Sequence, residues 1–85
     1  MPHYLMELYM ARASRVPLEA ARRARQSASA MNREGVRVRY LRSIFVPEDE
    51  ICFLLFDAAS PELVGEAGRR AALDNYRIVR AIDDT

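Results

Sequence analysis

An α+β fold of the order βαββαβ, with a four-stranded antiparallel sheet and two helices on one face, follows from three features of the 85-residue sequence. The first is the alternation of short stretches rich in β-branched, aromatic and methionine residues with two longer stretches of helical period. The second is the chemistry of the junctions, where Pro17, Gly35, Pro47–Glu50 and Ser60–Pro61 stand at the points at which one element gives way to the next. The third is the run Ile51-Cys52-Phe53-Leu54-Leu55-Phe56, which carries no charge at all. Neighbouring side chains of a strand point to opposite faces, so this strand requires cover on both.

His3 to Met10, rich in Tyr, Leu and Met, suits a first strand, and Arg12 to Val16 a connection. From Pro17 to Glu34, Leu18, Ala21, Ala24, Ala28 and Met31 recur at steps of three and four, which predicts an amphipathic helix. Proline fits its first turn, Glu19 and Arg23 form an i,i+4 pair, and Gly35 ends it. Val36 to Val46 is the second strand, with arginine at alternate early positions; Pro47 to Glu50 is a turn, and Ile51 to Ala58 the third strand. Ser60, Pro61 and Glu62 supply a hydroxyl cap, a first-turn proline and a carboxylate near the positive end of the dipole. The helix they start runs to about Ala72, with Leu63, Val64, Ala67 and Ala71 on one side. Gly65 and Gly68 weaken it by roughly 1 kcal/mol each against alanine, which predicts close packing there. Tyr76 to Ile82 is the last strand. The order is that of the ferredoxin-like, or split βαβ, arrangement, in one domain covering residues 1–85.

Composition narrows the function. Hydrophobic residues make up 51% and charged residues 29%, which suits a folded protein rather than a disordered one. A net charge of +1 gives no reason to expect nucleic acid or acidic membranes as partners. Every basic residue is arginine, a bias that fits a genome rich in G and C. Cys52 is the only cysteine, so no internal disulfide forms and a cytoplasmic location is expected. No stretch reads as a signal peptide or reaches the roughly 20 apolar residues of a membrane span.

The turn at Pro47–Glu50 sets a register in which Val46 pairs with Ile51, Ile44 with Phe53, Arg42 with Leu55 and Tyr40 with Asp57. The alternate set pairs Phe45 with Cys52, Ser43 with Leu54 and Leu41 with Phe56; it carries no charge and is expected beneath the helices. Tyr4, Met6, Leu8 and Met10 join that core side, leaving His3, Leu5, Glu7 and Tyr9 on the open face. Leu5, Ile44, Phe53 and Leu55 would then form an apolar patch larger than monomers usually expose. A second copy of the same sheet is the simplest cover, giving a homodimer of the α+β barrel type. Its interior would enclose Glu7, Tyr9, Tyr40, Arg42 and Asp57, charged groups that must be paired or functional.

The stretch "REGVRVRYLRSIFVPEDEICFLLFDAASPELVGEAGRRAAL", together with "HYLMELYM", resembles a small bacterial family of unknown function, one member of which is described as a nickel-binding protein. The resemblance lies in the glycine before strand two, the Val-Arg-aromatic-Leu-x-Ser run, the strand-three cysteine, the Asp-Ala-x-Ser-Pro-Glu entry to helix two and its Arg-Arg-Ala end. Family members often carry tryptophan at the position of Tyr40 and Gly-Leu-Pro at Ala72–Asp74. It implies a dimeric α+β barrel and binding of nickel or another divalent transition metal.

Read from the residues alone, the metal donors are sparse. Nickel favours nitrogen and thiolate, and the chain offers His3 and Cys52, the latter on the core side. His3 and Glu7 share a face but stand about 13 Å apart at roughly 3.3 Å per residue. An amino-terminal clip through His3 would need a backbone proton that Pro2 lacks. Cys52 reads as a packed core thiol, the PEDE turn as solvated, and the arginines of "ARRAR" as an outer helical face.

Glu7, Arg42 and Asp57 then read in one of two ways: an ion-pair network that fixes strand register, or a pocket. In the pocket, Arg42 would hold a substrate carboxylate or enolate, Glu7 or Asp57 would act as base, and Tyr9 or Tyr40 would donate. Three functions follow: a small cytosolic ligand-binding protein for a metal ion or small molecule, a small cofactor-free isomerase or cyclase, or a structural dimerisation module.

Overall fold

The computed structural model describes residues 1–10 and 16–82. The elements are β1 (His3–Tyr9), α1 (Val16–Arg33), β2 (Val38–Val46), a 3-10 turn (Pro47–Asp49), β3 (Ile51–Ala58), α2 (Pro61–Arg70) and β4 (Tyr76–Ala81). The strands form one antiparallel sheet in the order β2-β3-β1-β4, so the ferredoxin-like topology stands. Except for Val16, the connection expected over Arg12–Val16 lies outside the described residues.

Both helices end by the same device. Gly35, at φ +90°, follows α1 while Val36 N–H reaches Met31 C=O and Gly35 N–H reaches Asn32 C=O. These are the two bonds of a Schellman motif, which needs a left-handed residue after the helix. After α2, Leu73 N–H reaches Gly68 C=O and Ala72 N–H reaches Arg69 C=O, with Ala72 at φ +58°. Here an alanine occupies the left-handed position that glycine takes at no steric cost.

The core lies between the helices and one face of the sheet. Met6, Leu8, Cys52, Leu54 and Phe56 from the central strands meet Ala24, Ala28, Met31, Val64 and Ala67 from the helices. Leu18, expected on the buried side of α1, is 80% exposed, and Ala20 is buried instead. The inward stripe thus runs through small residues, Ala20, Ala24, Ser27 and Ala28, which let the helix approach closely. Ser27 Oγ donates to Ala67 C=O at 2.7 Å, tying α1 to α2. Arg70 bonds Glu34 and Glu66 and ties the helices again at the surface. Bonds from Arg69 and Arg70 hold the Glu66 carboxyl below the usual glutamate range. The "ARRAR" face is not wholly solvated, since the Nε of Arg23 is buried.

The β2–β3 hairpin keeps the expected register from Val46↔Ile51 through Arg42↔Leu55. Beyond it, a bulge at Leu41 shifts the pairing to Tyr40↔Phe56, Arg39↔Asp57 and Val38↔Ala58. This overturns the expected partners Tyr40↔Asp57 and Leu41↔Phe56. One extra residue reverses the facing of everything before it. Val38 and Tyr40 turn inward: Val38 is fully buried, and the Tyr40 ring meets Phe56 edge-on at 5.7 Å.

Gly68, within α2, and Ala72, just beyond its end, behave oppositely on substitution. A Cβ at Gly68 would stand 2.8 Å from Met6 Cε and 3.0 Å from Tyr76 Oη, inside a closed core. Gly68→Ala is therefore expected to lose about 1–3 kcal/mol by overpacking despite its better helix propensity. Ala72→Gly is expected to gain about 1 kcal/mol by relieving the left-handed alanine. Urea denaturation of the two variants beside the parent checks both signs.

Candidate functional site

The open face of the sheet is built from alternate residues of all four strands, and their pairing places them in rows across it. One row is Ile44, Phe53, Glu7 and Arg77; the next is Arg42, Leu55, Leu5 and Val79; the third is Arg39, Asp57, His3 and Ala81. Val46, Ile51 and Tyr9 complete the near end. Charged pairs thus flank an apolar belt of Leu5, Ile44, Phe53, Leu55 and Val79. Ile44 is 53% exposed, and the described helices pack on the opposite side of the sheet from this belt.

Asp57 is the most enclosed charged group on the face, with its side chain 8% exposed. Its Oδ2 accepts a 2.7 Å bond from Arg39, and its Oδ1 lies 2.6 Å from His3 Nδ1. The second contact is close but not aligned as a hydrogen bond, which leaves Oδ1 without one. Glu7 accepts a 3.0 Å bond from Arg77 Nε, and this bond raises the Arg77 pKa. Tyr9 stands at the rim, 42% exposed, beside a cleft of about 480 Å³ shared with Met10, Asp49, Glu50 and Asn75.

The five residues expected to converge do so only in part. Glu7, Tyr9, Arg42 and Asp57 share the open face, but Tyr40 does not: the Leu41 bulge turns it to the helix side, against Phe56 and beneath Arg25. Nor does Arg42 reach either carboxylate. Its expected partner Asp57 is taken by Arg39, and Glu7 is taken by Arg77. Arg42 has no ion-pair partner among the described residues. Arg39 and Arg77 were not read from the sequence as site residues. Arg77 was legible in principle, because Tyr76 and Ile78 take the core parity of β4 and leave Arg77 on the other. Arg39 was not, because its facing depends on the bulge.

For a metal, the face offers His3 and Asp57 side by side, and no third donor joins them among the described residues. Among the described residues no three of His, Cys, Asp and Glu come together to hold an ion. Cys52 lies on the opposite face, 1% exposed, where burial pushes its thiol pKa up and disfavours the thiolate that binds metal. The described residues therefore do not by themselves fit a nickel centre.

No protein-family model matches the chain, and no curated protein matches it. Among solved structures it is similar to the crystal structure of SCO4226 from Streptomyces coelicolor A3(2). The TM-score is 0.72 at 18% identity, over 98% of this chain and 99% of that one. At that identity the likeness is one of fold. Among the described residues no helix is long and apolar enough to cross a membrane.

Arg39→Ala leaves the enclosed Asp57 with His3 alone and is expected to cost about 1–3 kcal/mol. Arg42→Ala removes no pair and is expected to change stability by less than about 0.5 kcal/mol. Thermal unfolding of both variants at neutral pH makes the comparison. In a thiol-labelling assay Cys52 is expected to react slowly in the native protein and quickly in denaturant; rapid native labelling would contradict its burial.

Proposed function

We propose that the protein is a small ligand-binding protein whose site is the open sheet face, covered by the same face of a second copy. The observation that carries this reading is the apolar belt flanked by two cross-strand ion pairs, Glu7–Arg77 and Asp57–Arg39. A belt of this kind in the middle of a sheet is poorly tolerated in water, and the flanking pairs give it a polar rim of the kind interfaces have. A two-fold arrangement lets one patch cover itself.

Arg42 is the residue that gives the site its ligand preference. It is the charge on this face left without an opposite charge, so a ligand carrying a carboxylate or enolate would supply its partner. Glu7 and Asp57 frame the site, and Tyr9 stands at its mouth. Binding is favoured over a cofactor-free isomerase or cyclase because each candidate carboxylate already has a cation beside it. A carboxylate oxygen already bonded to a guanidinium must give up that bond before it can accept a proton from a substrate. Nickel, which the resemblance implies, would need donors beyond these, and a second copy could supply them, since the described residues bring together only His3 and Asp57.

Sedimentation equilibrium tests the assembly on which this reading depends. The parent chain is expected at the mass of two copies at micromolar concentration. Leu55→Glu, which places a charge in the middle of the belt, is expected at the mass of one. A parent protein sedimenting as a single chain overturns the reading.

A further inference from the structure

On the other side of the sheet, α1 and β2 leave a groove of about 260 Å³ between them. Its walls are Arg25, Ala28, Ser29 and Asn32 from the helix and Val38 and Tyr40 from the strand. We propose that this groove binds a small carboxylate with a flat apolar body, held by Arg25 over Tyr40, independently of the open face.

Three observations lead here. First, the bulge at Leu41 aims Tyr40 into this groove, where an unbroken register would have sent it to the open face. Bulges recur beside functional sites because they re-aim one side chain without rebuilding the sheet. Second, the Arg25 guanidinium rests 5.1 Å over the Tyr40 ring centroid, and that ring is itself braced edge-on by Phe56. A cation over a ring face is held there by the ring's charge distribution, and the guanidinium's N–H fork suits a planar, bidentate anion. Third, Arg25 has no carboxylate partner among the described residues, whereas Arg22, Arg39, Arg69, Arg70 and Arg77 all have one.

The remaining walls set the ligand class. Ala28 and Val38 are buried apolar surface, suited to a hydrocarbon body. The Ser29 side chain, exposed on the helix, offers a hydroxyl donor next to the carboxylate position. The Asn32 amide nitrogen is occupied, bonding Val36 and Val38 carbonyls at 3.4 and 3.1 Å. These bonds tie the helix end to the start of the strand and leave the Asn32 amide oxygen as an acceptor. Arg39, which also borders the groove, has its guanidinium on Asp57, so Arg25 is the charge available to the ligand. A neutral or cationic ligand would gain nothing from it.

Sodium benzoate is the probe, titrated into the full chain at constant sodium concentration and followed by amide NMR. Saturable shifts are expected at Ser29, Asn32, Val38 and Tyr40, and benzamide, the neutral isostere, is expected to produce none. Arg25→Gln is expected to weaken benzoate binding at least about tenfold. Arg25→Lys, which keeps the charge and loses the fork, is expected to fall between the two. Arg25 is exposed, so both variants should fold, and amide dispersion verifies it; Ser29→Ala, also at an exposed position, is expected to weaken binding without touching the charge. Shifts confined to Leu5, Phe53 and Leu55, equal binding of benzamide, or unchanged affinity in Arg25→Gln would each overturn the proposal. The readout does not depend on whether the open face pairs with a second copy.

Discussion

The structure depends on β3 having two apolar faces. One face, Cys52, Leu54 and Phe56, is buried beneath the helices, and the other, Ile51, Phe53 and Leu55, stays half-buried on the open side. A strand with this pattern is stable only at the centre of a sheet, where neighbours on both sides satisfy its backbone and its two faces can each be packed. The order β2-β3-β1-β4 puts it there, between β2 and β1. The helices can cover only one face. What the second face presents is therefore decided by the same strand that makes the core possible.

Charge is arranged around that constraint rather than across it. Four of the open-face charges sit in two cross-strand pairs, Glu7–Arg77 and Asp57–Arg39, at the sides of the apolar belt. Placed directly opposite one another on neighbouring strands, such pairs also penalise a slipped register, because a shift of one residue would leave each carboxylate facing an apolar neighbour. Asp57 shows how strongly: its carboxylate is nearly enclosed, and enclosure of an unpaired charge is costly. The Arg39 guanidinium, 65% exposed, neutralises it while remaining hydrated itself. Burial of one partner with exposure of the other keeps the desolvation penalty below that of a fully buried pair.

Much of the fold was legible in the sequence because it rests on local chemistry. Pro17, Gly35, the Pro47–Glu50 turn and Ser60–Pro61 mark element ends within a residue or two, and the period of each segment sets its type. The composition of each face of β1 and β3 was equally legible, since alternation alone separates Tyr4, Met6 and Leu8 from Leu5 and Glu7. Helix facing was less so: with alanine at most inward positions of α1, the period survives a rotation of the stripe, and Leu18 lies outside it. The candidate site was legible as a set of residues on a face but not as a set of pairs. Pairs depend on which strands adjoin, as for Glu7 and Arg77, and on irregularities that no period reveals, as for Arg39.

The bulge at Leu41 is the irregularity with the widest consequences. Arg39 and Arg42 are three residues apart, so in an unbroken strand they would face opposite ways. With one residue inserted they share the open face, paired in register with Asp57 and Leu55 respectively. The same insertion turns Val38 into the core and brings the Tyr40 ring under Arg25. Without it, Arg39 would point into the space that Val38 fills, Asp57 would face tyrosine rather than a cation, and Arg42 would be the nearest positive charge to it. The bulge gives the buried carboxylate its own arginine and so leaves Arg42 unpaired beside the apolar belt. On the other face it places the Tyr40 ring under the Arg25 guanidinium, which has no acid beside it among the described residues. One inserted residue thus sets the surroundings of a guanidinium on each side of the sheet.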